Sequence, residues 1–191
     1  MKGRKMGIFI IIVMVFLLSI GGYLVFKHYQ SKKADSETEE TIKEAKVINT
    51  NSKLGLEFFS LKDSGGQGID TKEDSEMKDI APGGVSVDDG QVYGYYFTYA
   101  GKERLTQVEL HSADYHIFGI KVTDEITSVA EVMETYGYKE VEPLYVYDGT
   151  LTKAYRKYDI SLTFEVKEGE KEICFILLSA SSKKEDDGKM Y

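Results

Sequence analysis

The chain has 191 residues, of which 32 are acidic and 24 basic, for a formal net charge of −8. All of the acidic residues but only 18 of the basic ones follow Ala34, so that portion carries a net charge of −14. It repels nucleic acid, anionic lipid and anionic wall polymer as direct ligands, and leaves basic partners and cations. One cysteine cannot staple a secreted scaffold, and Cys174, set in Ile-Cys-Phe-Ile-Leu-Leu, reads as a buried, unreactive thiol.

Gly7 to Phe26 is an uncharged run of twenty residues with no polar stripe. At about 1.5 Å per residue it covers a hydrocarbon core of about 30 Å. The basic start, Lys2, Arg4 and Lys5, suits a signal peptide, but the run is too long for one and ends in Tyr-Leu-Val-Phe-Lys with no small-x-small cleavage site. The expectation is an uncleaved signal anchor. Residues 1–6 are then cytoplasmic, 7–26 span the membrane, and everything later is extracytoplasmic, since the short head is a poor candidate for translocation.

Residues 27–46 are polar and charged, with Ser36-Glu37-Thr38-Glu39-Glu40, and read as a linker or juxtamembrane helix. Residues 183–191 read as a disordered tail. Residues 47–182 have the size of one domain with one core.

Within that domain Leu54 to Leu61 has strand character, and Asp63 to Asp89, rich in Gly and Asp with a Pro-Gly-Gly turn, reads as loop. Val92 to Tyr99 and Arg104 to His111 form a hairpin about Ala100-Gly101, with Tyr93, Tyr95, Phe97 and Tyr99 on one face and Tyr96 on the other. Ser128 and Glu131 form a capping box. Val129, Val132, Met133 and Tyr136 then recur at helical spacing, with Gly137 as C-cap. Leu144 to Tyr147 and Leu151 to Lys157 read as strands about Asp148-Gly149. Ile160, Leu162, Phe164 and Val166 alternate with polar residues, Lys167-Glu168-Gly169-Glu170 turns the chain, and Glu172 to Ser179 is apolar on both faces, as a central strand should be. The fold class expected is α+β: an N-terminal transmembrane helix, then an antiparallel β-sheet domain with a short amphipathic helix packed on one face.

The stretch Phe118-Gly-Ile-Lys-Val-Thr-Asp124, the helix carrying Val129, Val132 and Gly137, and the meander after it resemble the SmpA/OmlA and β-lactamase-inhibitor-protein-like group. They also resemble membrane-anchored proteins of Gram-positive bacteria. The resemblance covers roughly residues 92 to 180 and implies a helical segment on an antiparallel sheet and action by binding other proteins. Thr123 stands where that group commonly has Gly, and Tyr138-Lys139 replaces its Gly-x-Pro.

His111, Asp114 and His116 make an H-x-x-D-x-H cluster of metal-ligand types, but the spacing spans a strand and a loop, and surface histidines are the simpler reading. Asp63, Asp70 and Asp74 approximate a calcium loop, yet Gly65 and Gln67 stand where oxygen ligands are needed. The paired acids Asp88-Asp89 and Asp186-Asp187 fall in turn and tail. No nucleophile elbow, phosphate loop or zinc-protease motif is present, and no catalytic, cofactor or metal residue is assigned. Fourteen tyrosines exceed what one small core needs, and Tyr96, Tyr145 and Tyr147 are the expected partner-binding residues. The function expected is a non-catalytic, membrane-anchored extracytoplasmic module that binds a protein or peptide of the cell envelope. An enzyme with a site assembled from distant residues, or a structural accessory of a membrane complex, is the alternative.

Overall fold

The computed structural model describes residues 2–54, 56–59, 84–87, 90–146 and 148–181, with the backbone alone for residues 2–20 and 87. In chain order come α1 (Lys2–Asn51), β1 (Gly84–Val87), β2 (Val92–Tyr99), β3 (Lys102–Leu110), β4 (His116–Ile117) and β5 (Ile120–Lys121). A 3₁₀ turn (Ile126–Ser128) leads into α2 (Val129–Thr135), followed by β6 (Lys139–Val141), β7 (Thr150–Lys157), β8 (Ile160–Lys167) and β9 (Ile173–Ala180). The chain divides into two compact units, Met1–Glu37 and Thr38–Tyr191. In the first unit the described backbone is helical. Among the described residues no helix is long and apolar enough to cross a membrane, and residues 7–20 of the expected span lie outside the side chains described.

In the second unit seven antiparallel strands form one sheet in the order β1-β2-β3-β9-β8-β7-β6, with β4 and β5 a separate two-stranded ribbon. Two-residue hairpins link several of the strands. The turns at Ala100-Gly101 and Phe118-Gly119 have positive φ at both central residues, the backbone that matches strand twist. The strand apolar on both faces, β9, is the middle one, as its composition requires.

Val92, Leu110, Ile176 and Phe164 lie side by side across the sheet, as do Gly94, Val108, Leu178 and Leu162. Apart from the two β2 residues' own modest size, these rows are the floor of the core, which also holds Leu56, Ile117, Val129 and Met133. Gly94 is needed for close approach: a Cβ there would sit 2.8 Å from both the Leu105 and Leu56 methyl carbons. α2 ends in a Schellman motif, in which the Tyr138 amide donates to the Met133 carbonyl and the amide of Gly137, at φ +78, donates to that of Glu134, both at 2.9 Å.

Several expectations need correction. Residues 27–46 are helical, the second of the two readings, but Thr41, Glu44, Ala45 and Ile48 are buried, so the compact unit begins at Thr38 and takes in the end of α1. The capping box does not form, because Ser128 is already in helical φ/ψ after the 3₁₀ turn, and its hydroxyl donates to the Glu125 carbonyl instead. Residues 54 to 59 hold turns and bends where described, and Gly84–Val87 is a strand where loop was expected. Leu144 to Val146 is no strand; the partner of β7 is Lys139–Val141. Cys174 is half-buried rather than buried, at a bulge where its thiol meets the Glu165 carbonyl at 3.4 Å.

Candidate functional site

Three regions of the second unit hold side chains that the core does not explain. The first is the segment between β6 and β7. Pro143 lacks the amide a strand would need, so the chain leaves the sheet after Val141. Leu144, Tyr145 and Val146 are then 83%, 75% and 63% exposed. Burying side chains of this size yields roughly 1.5–3 kcal/mol each, which three consecutive residues forgo here.

The second is the sheet face opposite the core. Direct pairing places Tyr93, Glu109, Leu177 and Thr163 in one row and Tyr95, Gln107, Ser179 and Ser161 in the next. Phe175 pairs with Glu165, and its ring lies 5.0 Å from that of His111, which meets Tyr93 edge-on at 5.5 Å. Gln107 donates to Glu109 at 3.0 Å, and the His111 Nε2 is 3.7 Å from the other Glu109 oxygen. Glu165 is only 7% exposed, and burial, then the charge of Glu109, pushes its carboxyl above the usual carboxylate range. Burial and Glu109 likewise push the Tyr95 hydroxyl up to about 12.

The third joins helix to sheet. Lys157 Nζ lies 2.9 Å from a Glu44 carboxylate oxygen and donates to the Tyr136 carbonyl at the end of α2 at 2.7 Å. The Tyr138 ring is 5.6 Å from the same ammonium, and burial, followed by Glu44, raises its hydroxyl far above the ordinary value. Nearby, the Thr41 hydroxyl accepts from the Asp159 amide at 3.2 Å, and the Tyr99 hydroxyl donates to the Asp159 carboxylate at 3.0 Å. These contacts fasten the last turns of α1.

Of the expected partner-binding residues, Tyr145 is in the exposed segment and Tyr147 lies outside the described residues. Tyr96 is turned the other way: alternation along β2 from Val92 and Gly94, which face the core, brings it to the core side opposite Leu105, where it packs against the core. Tyr99 is buried in the core, so it does not share the face of Tyr93 and Tyr95 as expected. Asp114 takes Ser112 as its partner while His116 begins β4, and among the described residues no three His, Cys, Asp or Glu side chains are grouped to hold a metal. Asp63, Asp70 and Asp74 and both acid pairs lie outside the described residues.

No protein-family model, curated protein or solved structure matches this chain. The resemblance carried by residues 92 to 180 therefore brings neither a partner nor an activity with it. Glu165 was invisible as a site residue, because in sequence it is one more polar residue alternating with Phe164 and Val166. It lies beside Phe175 at the bulge between Glu165 and Val166.

Proposed function

We propose that this protein is a single-pass membrane protein whose extracytoplasmic domain holds a protein partner in the cell envelope without catalysis, through the segment between β6 and β7. The observation that carries this reading is the exposure of Leu144, Tyr145 and Val146 in succession. Contiguous apolar surface rimmed by charge is characteristic of interaction sites, and Tyr is a frequent anchor in them. Glu142 and Asp148 flank the segment and supply such a rim.

Membrane anchoring is supported by the apolar run Gly7 to Phe26 and by the helical backbone of α1 through it. Tyr23, Leu24, Val25 and Phe26 are all exposed, and four consecutive helical residues point around the whole circumference. Lipid covers such a surface on every side, whereas a single protein face covers only a stripe.

A photo-reactive residue placed at 145 in intact cells is expected to give one discrete protein adduct that the L144A/V146A background abolishes, while the same residue at Glu134 gives none. Equal adduct patterns at 134 and 145, or lipid adducts alone, would overturn the docking role. Protease added to intact cells should remove an epitope placed after Tyr191, and protection of that epitope would reverse the topology.

A further inference from the structure

The sheet face opposite the core carries a carboxylate that the fold leaves without a counterpart. Glu165 is 7% exposed, yet no described residue donates a hydrogen bond to its carboxylate or pairs with it as a cation, in contrast to Asp159, which is equally buried and is met by Tyr99 on one oxygen and Arg156 on the other. Glu109 lies diagonally across β9 from it, and both flank Phe175 and Leu177. Glu109 takes the neutral amide of Gln107 as its donor and has the His111 Nε2 at 3.7 Å from its other oxygen. Arg156, on the same face, is taken by Asp159 at 3.8 Å and by the Tyr158 carbonyl at 3.0 Å. Two carboxylates thus share one face beside apolar and aromatic side chains, with a histidine beside one and no cation beside the other, an arrangement that a cationic group would complete.

We propose that this face binds an Arg or Lys side chain on an extended segment of a partner protein, its cationic head between Glu109 and Glu165. The aliphatic stem and neighbouring residues of the segment lie over Phe175, Leu177 and Tyr93. A cationic head supplies what Glu165 lacks, several donors on one group, and a guanidinium can serve two carboxylates at once. A divalent metal fits less well, since two carboxylates without a third ligand leave its shell to water. The surrounding charge of −14 after Ala34 steers a cationic segment inward. This site is distinct from the segment between β6 and β7 and stands without it.

The test uses the full chain in detergent micelles with labelled Leu, Ile and Val methyl groups, titrated with the blocked tripeptide acetyl-Leu-Arg-Leu-amide and its Glu-for-Arg counterpart. The Arg peptide is expected to move the Leu177 methyl signals saturably and to bind at least about tenfold more tightly than the Glu peptide, with affinity falling as salt rises. E165Q and E109Q should each weaken the Arg peptide about tenfold, while E134Q on the exposed side of α2 leaves it unchanged. E165Q is isosteric and removes a buried charge, so it should fold at least as stably as the parent while binding less. Shifts centred on Leu144 and Val146 instead of Leu177, equal binding of the two peptides, or undiminished binding by both E165Q and E109Q would overturn the assignment.

Discussion

Replacing Lys157 with Met tests whether the end of α1 is fastened to the sheet by charge. The ammonium is 2.9 Å from Glu44 and 2.7 Å from the Tyr136 carbonyl, with the Glu44 and Lys157 side chains 7% and 25% exposed. Removing one partner of a buried pair costs about 3–5 kcal/mol because the other charge is stranded. The partial exposure of Lys157 places the expected loss near the low end, about 3 kcal/mol. E44Q should cost about 1 kcal/mol, since the amide oxygen still accepts from Lys157 and the lysine keeps the Tyr136 carbonyl. The double variant E44L/K157M should return most of the loss, because no charge remains buried. Urea unfolding of a chain beginning at Thr38 would measure all three, and K157M should also lower the thermal midpoint by about 10 °C. A K157M variant within about 0.5 kcal/mol of the parent, or a double variant no better than the single, would refute the reasoning.

Thr123 occupies φ +81, a left-handed backbone that a β-branched residue adopts at a cost, while its amide is held by the Ile173 carbonyl at 2.8 Å. T123G should therefore stabilise the domain by about 1 kcal/mol in the same urea assay, and a loss of stability would show that the strain is absent. Glu165 gives a pH dependence of definite sign. With its carboxyl raised by burial and Glu109, the folded protein holds the proton more tightly than the unfolded chain, so stability falls as pH climbs from the ordinary carboxylate value through the raised one. E165Q should flatten that decline in unfolding midpoints taken from about pH 4 to about pH 8 and be the more stable protein at the upper end; parallel curves would exclude the effect.

The strands from Thr150 onward could be read from sequence because alternation and turn glycines agree there, and β9 declared its central place by being apolar on both faces. The end of α1 could not. Its buried positions 41, 44, 45 and 48 have helical spacing, but two of the four are Thr and Glu, whose burial depends on Asp159 and Lys157 more than a hundred residues away. Leu144 to Val146 failed for the opposite reason: it has strong strand propensity beside an Asp-Gly turn, while the true partner of β7 is the short, charged edge strand Lys139–Val141. Tyr96 was expected outward because alternation shows which residues of β2 share a face but not which face meets the core, and it is the face of Val92, Gly94 and Tyr96 that does. Of the surfaces singled out, the Tyr145 segment was half visible, as a choice of which residues turn outward, and the Glu109 and Glu165 face was not.

The position of β9 also dictates an order of events in synthesis. The sheet consists of two meanders, β1-β2-β3 and β6-β7-β8, and β9 alone joins them, pairing Gln107–Leu110 on one side and Ile160–Val166 on the other. The joining strand follows both meanders in the chain. Until it arrives, β3 and β8 each present an unpaired edge, the kind of surface that recruits strands from other chains. A chain stopped before Ile173 has every residue of both meanders but not the strand that makes them one sheet, so termination there should yield an aggregation-prone product rather than a slightly shortened domain.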